Sequence, residues 1–305
     1  MLSEMVANFV SLRRIGGFKF DSPEVLLRSF AQFASLRGDS HVRIETAIAW
    51  AAQTASPEAR ETRLRTVIAF ARHCRAEDPA HEIPPKGVFG TGRHPRRPVA
   101  YIFTPNEIQH ILSAALELQP QASLRPYTYH TVFGLLASTG LRIGEALRLR
   151  FADITQDGLL IRETKFKKSR LVPVHATVAR ALQRYRVLRD LIGGRGDHLF
   201  VGQKGQPLRR SMVQQTFCQI LVELGLSTAR GGHSPRLHDL RHTWAVRALE
   251  ACPEQTDLVG RHMRAVTTYL GHVSVATGYW YLHTSPVLMK KIADACAALE
   301  NGGEP

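Results

Sequence analysis

Four short stretches of the chain carry residues whose types and spacing suit chemistry at an anion. The first is Thr139–Leu149, TGLRIGEALRL, in which Gly140 permits a tight turn and places Arg142 at the start of a helix. A guanidinium there, with the unpaired backbone N–H groups of a helix start, could face an anion. Glu145, three residues on and on the same face, could orient that arginine, although such a pair is also an ordinary helix ion pair. The second stretch is Lys165-Phe166-Lys167-Lys168-Ser169-Arg170, followed by Val172-Pro173. Three lysines on one turn read either as solvated charge or as a lysine at a strand end that can protonate a leaving oxygen. The third is Leu237–Ala245, LHDLRHTWA, where His238 and Arg241 share a helix face and His242 is an alternative to His238. A metal would need acidic or Cys ligands beside such histidines, and Asp239 points elsewhere on the helix, so no metal is expected. The fourth is Tyr269-Leu270-Gly271-His272, with Tyr281 nine residues after His272 inside Tyr279-Trp280-Tyr281-Leu282-His283. Taken alone, that aromatic run suits a core as well as a reaction.

These stretches need elements to hold them, and the pattern supplies them. Before residue 85 the periodicity is helical. One helix follows Ser22-Pro23-Glu24 with Val25, Leu26, Phe30, Phe33 and Leu36 as its apolar face. A second covers Val42 to Ala52 with Ile44, Ile48 and Trp50 inward, and a third runs from Pro57 to Arg75, burying Leu64, Val67, Ile68 and Phe70. Arg60, Arg63, Arg65 and Arg72 give that third helix a basic face, read either as solvated charge or as a DNA contact. The stretch His81 to Pro98, HEIPPKGVFGTGRHPRRP, is proline-rich and basic and reads as an interdomain linker whose arginines could track a phosphate backbone. Thr104-Pro105-Asn106-Glu107 then opens a helix with a capping box and Pro at its first position. Helices are expected at Pro105–Leu118, Tyr127–Thr139, Ile143–Leu149, Ala176–Leu191, Ser211–Leu224 and Leu237–Glu250, with short ones to the end. Strands are expected at Leu159–Thr164 and Arg170–Val174.

Composition narrows the class. The chain has 305 residues, 44% of them hydrophobic and 22% charged, which suits a folded protein of two domains rather than a disordered one. The uncharged stretch Ala265–Met289 is too rich in Thr, Ser and His for a membrane span, and the N-terminus lacks the order of charges of a secretory signal. Cys74, Cys218, Cys252 and Cys296 are far apart, with neither a metal knuckle nor a compact disulfide framework, so a reducing cytoplasm is the expected location. With 40 Lys+Arg against 26 Asp+Glu the net charge is +14, and 32 of the basic residues are Arg, which favours a polyanionic partner bound through phosphate. Charge alone leaves a DNA enzyme and a DNA binder equally open.

Taken together and in order, the Arg of TGLRIGE, a lysine in a β-hairpin, the HDLR pair, LGH and a tyrosine nine residues later resemble the catalytic box of tyrosine recombinases, the phage integrase family. The resemblance covers about Phe103 to His283, and Tyr279-Trp280-Tyr281 also looks like integrases of transposon-like elements. It implies a mainly α fold with a small antiparallel β-sheet. A helical core-binding domain would occupy 1–85, a basic linker 86–101, and an α+β catalytic domain 102–305, ending in a tail helix after Ser285-Pro286. It also implies metal-independent strand cleavage and rejoining with no cofactor. Tyr281 would be the nucleophile, Arg142 and Arg241 the clamps on the non-bridging oxygens, and His272 a further phosphate hydrogen bond. His238 would serve as base or phosphate contact and Lys165 as general acid, with Lys167, Lys168 and Tyr279 as the alternatives that spacing leaves open. Asp153, Asp239 and Glu145 would be partners of the cations. The implied partners are double-stranded DNA, further copies of the chain in a homo-tetramer on two DNA sites, and helper proteins of the same element; the tail helix would cover its own core or dock on a neighbouring copy. The rivals are a catalytically silent accessory protein and a type IB topoisomerase. A metal-dependent nuclease would need the clustered Asp and Glu that this sequence lacks.

Overall fold

A computed structural model describes residues 2–90, 100–162, 169–192, 196–227, 234–251 and 256–271, the side chains of 256–259 aside. It divides into two compact units, Met1–Arg97 and Pro98–Pro305. The fold is mainly helical with one small antiparallel sheet, as the sequence implies. No helix among the described residues is long and apolar enough to cross a membrane.

The first unit holds four helices: α1 (Leu2–Ile15), α2 (Asp21–Leu36), α3 (Ile44–Ala52) and α4 (Pro57–Glu77). The sequence reading has no counterpart to α1. Its buried Leu2, Val6, Phe9 and Val10 recur at helical spacing, and each such side chain stabilises by about 1.5–3 kcal/mol when fully buried. Phe9 packs edge-on to Phe20 and tilted against Phe70 of α4. In α2 the buried face is Leu27, Phe30, Ala31 and Ala34, so the expected face is rotated: Val25 and Leu36 are exposed. Trp50 of α3 meets Phe30 edge-on, and Leu64, Val67, Ile68 and Phe70 of α4 are buried as expected. Arg60 and Arg63 are anchored internally, donating to the carbonyls of Thr54 and Trp50, while Arg65 and Arg72 face solvent. After α4 the chain returns to cap α3. Glu82 accepts the Ile44 N–H at 2.7 Å and pairs with Arg43, which sets a carboxylate at the positive end of a helix. His81, Pro84, Ile83 and Phe89 thus belong to this unit's core and its margin.

The second unit builds a larger core from α5 (Pro105–Leu116), α6 (Arg125–Thr139), α7 (Ile143–Ala146), α8 (Ala176–Ile192), α9 (Arg210–Glu223), α10 (Asp239–Glu250) and α11 (Thr256–Leu270). Thr104 and Glu107 form the expected capping box at α5. Its sheet has the order β1-β2-β3, from Ile154–Thr155, Gly158–Ile161 and Arg170–Val172. Leu159 pairs with Ile154 on one side and Val172 on the other, so Leu159, Ile161 and Val172 turn one face into the core. The strands are shorter than expected, and β1 is an addition.

Two helices differ from expectation. The helix read to Leu149 ends at Ala146, because beyond it the chain is drawn off the helix: Leu149 accepts the Leu199 N–H at 2.8 Å and Phe151 donates to Asp197. After α10, among the described residues, α11 is a helix of 15 residues where short ones are expected; the rest of that expectation lies outside the described residues. It packs on α10 through Val266 and Leu270 against Ala245, Val246 and Leu249. The linker arginines, the lysine hairpin and the tail helix lie outside the described residues.

Candidate active site

Arg142 sits at the head of α7, just after α6 ends at Gly140. That glycine takes φ +60, and a Cβ there would lie 2.9 Å from the Trp244 ring and 3.2 Å from Leu270, so the turn excludes any other residue without rearrangement. Buried Leu141 pins the turn. Arg142 donates from NH1 to Glu145 Oε1 at 2.9 Å and from its backbone N–H to Oε2 at 3.1 Å; the helix-face pairing expected from sequence is present.

The Glu145 carboxylate is almost fully buried, its side chain 3% exposed, and it has a second partner that the sequence reading did not include. Arg170, at the start of β3, grips the same two oxygens in a fork, NH1 to Oε1 at 3.1 Å and NH2 to Oε2 at 2.9 Å. Burial alone would push this carboxyl's pKa up; the guanidinium groups of Arg170 and Arg142 outweigh it and hold the group at about 2. The available signal was register: Arg170 lies two residues before buried Val172 and so on the same face of the strand. A charge on an inward face requires a partner.

Three arginines converge on the end of α11. Arg170 donates from Nε to the Tyr269 carbonyl at 3.0 Å, Arg241 from NH2 to the Leu270 carbonyl at 2.8 Å, and Arg142 from NH2 to the Gly271 carbonyl at 3.2 Å. Cations here complement the negative end of the helix dipole and satisfy carbonyls the helix leaves unpaired. Arg241, 2% exposed, also gives NH1 to the Gly140 carbonyl at 2.6 Å. The chain therefore enters the LGH motif from a point fixed by α7, β3 and α10 together.

His238, at the head of α10, lines with Arg241 a cleft of about 340 Å³ that also includes Arg210, Gln214, Arg236 and Ile143. The residue is exposed, yet burial by the surrounding protein, with His242 and Arg241 nearby, pushes its pKa down to about 4. The ring is therefore neutral at pH 7. His242 meets it edge-on at 4.6 Å between centroids. Asp239 accepts the Arg236 N–H at 2.7 Å and pairs with the Arg236 guanidinium, closing the turn that leads into α10. Asp153 accepts the Arg150 N–H and pairs with Arg162, stabilising the turn before β1. Among the described residues one trio, His41, Asp78 and His81, has metal-like spacing. Its chemistry does not fit: Val42 N–H donates to His81 Nδ1, so the ring proton belongs on Nε2 and that atom is a donor, not a ligand.

The structure thus brings Arg142, Arg241 and His238 to one region. Lys165, Lys167, Lys168, His272, Tyr279 and Tyr281 lie outside the described residues.

Comparison with known proteins bears on the same region. Residues 102–286 match the model of the phage integrase family. The "Putative integrase/recombinase y4rB" of Sinorhizobium fredii (strain NBRC 101917 / NGR234) is 40% identical over 304 residues, 94% of each chain. The tyrosine recombinase XerC of Chlamydia trachomatis serovar L2 is 32% identical over 237 residues, 76% of this chain and 69% of that one. Among solved structures, a Tn1549 transposon integrase in complex with a circular intermediate DNA aligns with TM-score 0.65 at 17% identity, over 97% of this chain and 99% of that one. The XerH site-specific recombinase bound to palindromic difH substrate aligns with TM-score 0.64 at 19% identity, over 92% and 79%. At those identities the structures speak for the fold, and the sequence matches speak for kinship. On the sequence matches the chain belongs to the phage integrase family, the tyrosine recombinases.

Proposed function

We propose that the chain is a site-specific DNA recombinase that cuts and rejoins strands by transesterification through a 3′-phosphotyrosine. The observation that carries this reading is the gathering of Arg142, Arg170 and Arg241 on three successive carbonyls at the end of α11, with His238 beside Arg241 in the adjoining cleft. Fixed cations at a phosphate supply electrostatic stabilisation without the cost of reorganising water.

Tyr281 attacks the scissile phosphorus as its phenolic proton passes to His238 or to water, and the bond to the 5′ oxygen breaks as Lys165, or its neighbours Lys167 and Lys168, gives that oxygen a proton. Rejoining runs the step backward: a 5′ hydroxyl attacks the phosphotyrosine and frees Tyr281, so the bond energy is kept and no ATP is needed. Arg142, its side chain 39% exposed, is placed to meet a non-bridging oxygen. Arg241 acts from a buried position, where its charge is weakly screened. His272 adds a hydrogen bond to the phosphate. His238, neutral at pH 7, accepts a proton or a hydrogen bond. The partner is double-stranded DNA in the cytoplasm, engaged by a homo-tetramer across two sites and assisted by proteins of the same mobile element.

The test is covalent trapping on DNA flanking the protein's own gene, with EDTA present, comparing wild type, Tyr281→Phe and Tyr279→Phe on denaturing gels. An adduct lost only in Tyr281→Phe is expected. Loss only in Tyr279→Phe would move the nucleophile by two residues. Binding without an adduct, on nicked substrates as well, would refute catalysis.

A further inference from the structure

We propose that Arg170 is a positioning residue for the strand-cleavage reaction, and that it works by keeping the charge of Arg142 available to the phosphate. This rests on the reading of Arg142 as a phosphate contact. Each Glu145 oxygen accepts two hydrogen bonds, one from Arg142 and one from Arg170. Two cations therefore share one buried carboxylate, and the trio retains a net positive charge. Exposure assigns that charge: the Arg170 side chain is 15% exposed and Arg142 is 39% exposed. Arg170 neutralises Glu145 from behind, and Arg142 is the member that faces out. Were Arg170 absent, the carboxylate would have Arg142 as its one neutralising partner in the trio, and an oncoming phosphate would compete with it.

Arg170 also reaches the end of α11 through the Tyr269 carbonyl, so one side chain sets both Arg142 and the last turn of α11. The approach is close. A Cβ on Gly271 would sit 2.7 Å from the Arg170 guanidinium, so glycine at this position is what admits the fork. A lysine at 170 would carry the charge but not the three directed N–H bonds.

The experiment is single-turnover cleavage of a nicked suicide duplex at saturating protein, with DNA affinity measured in parallel and thermal melts to verify folding. Arg170→Ala is expected to slow cleavage about 10- to 100-fold, the scale of a small misplacement of a reacting group, while DNA affinity changes less than about threefold. Arg170→Lys should fall between it and wild type, and it stands in should Arg170→Ala fail to fold. In a double-mutant cycle, adding Arg170→Ala to Arg142→Ala should cost less than about threefold more, because the first acts through the second. Adding Glu145→Gln to Arg170→Ala should recover at least about fivefold, because it removes the carboxylate charge that would otherwise compete with the phosphate for Arg142. Multiplying losses in the first pair, or no recovery in the second, overturns the proposal. An Arg142→Ala variant that cleaves like wild type instead overturns the assignment of Arg142, a result the cycle separates from the other two.

Discussion

His238 and Glu145 are held in opposite charge states by their surroundings, and each makes the site sensitive to acid in its own range. Crowding by protein, His242 and Arg241 keeps His238 neutral down to about pH 4. A titration of its ring protons by NMR is expected to show a midpoint near 4, not the ordinary 6.5. Because the folded pKa is depressed, neutral His238 contributes stability that is complete above about pH 6.5 and lost as pH falls through 4; His238→Gln should flatten that interval in urea melts. Glu145 acts lower. Its shift from 4.5 to about 2 corresponds to about 3 kcal/mol present above pH 4.5 and lost as pH falls through 2. Melts of wild type and Glu145→Gln at pH 5, 4 and 3 should converge as the pH drops. The Arg142–Glu145 half of this arrangement was legible in the sequence, since residues three apart on a helix must meet. The Arg170 half was not, because its partner is 25 residues away and only strand register brings them together.

The same division between local and non-local information governs the elements. Capping chemistry placed α5 well, since the Thr104–Glu107 box satisfies orphan N–H groups with neighbours in sequence; α4, read from Pro57, proves to be capped by Ser56. Thr104→Ala is expected to cost about 1 kcal/mol in denaturant melts. The end of α7 went wrong because the pull on Leu149 comes from Leu199, a partner no local pattern contains. In α2 the apolar residues outnumber one face, and packing against α1, α3 and α4 selects Leu27 over Val25 and Leu36. The joint between α6 and α7 is a tightly constrained turn. Gly140→Ala would meet both a positive φ and the Trp244 ring, which itself stacks on Tyr269 at 4.6 Å. It is expected to destabilise by about 1–3 kcal/mol, with a larger proportional loss of cleavage because Arg142 is two residues away.

Across the whole molecule, each unit has a core of its own. A fragment of residues 1–97 is expected to melt cooperatively with helical circular dichroism, since Trp50, Phe30, Phe9 and Phe70 close one cluster. The net charge of +14 makes a second expectation: DNA affinity should fall linearly with salt on a double-logarithmic plot, with a slope set by the phosphates neutralised. The grip on the last carbonyls of α11 has a further consequence, one of reach. Three guanidinium groups make Gly271 a mooring, and Tyr281 lies ten residues beyond it. A chain of that length extends at most about 33–36 Å. The mooring and the residue count therefore draw a circle within which Tyr281, the nucleophile proposed above, would operate. Each residue inserted after His272 would widen it by about 3.5 Å without altering any of the groups proposed to touch the phosphate.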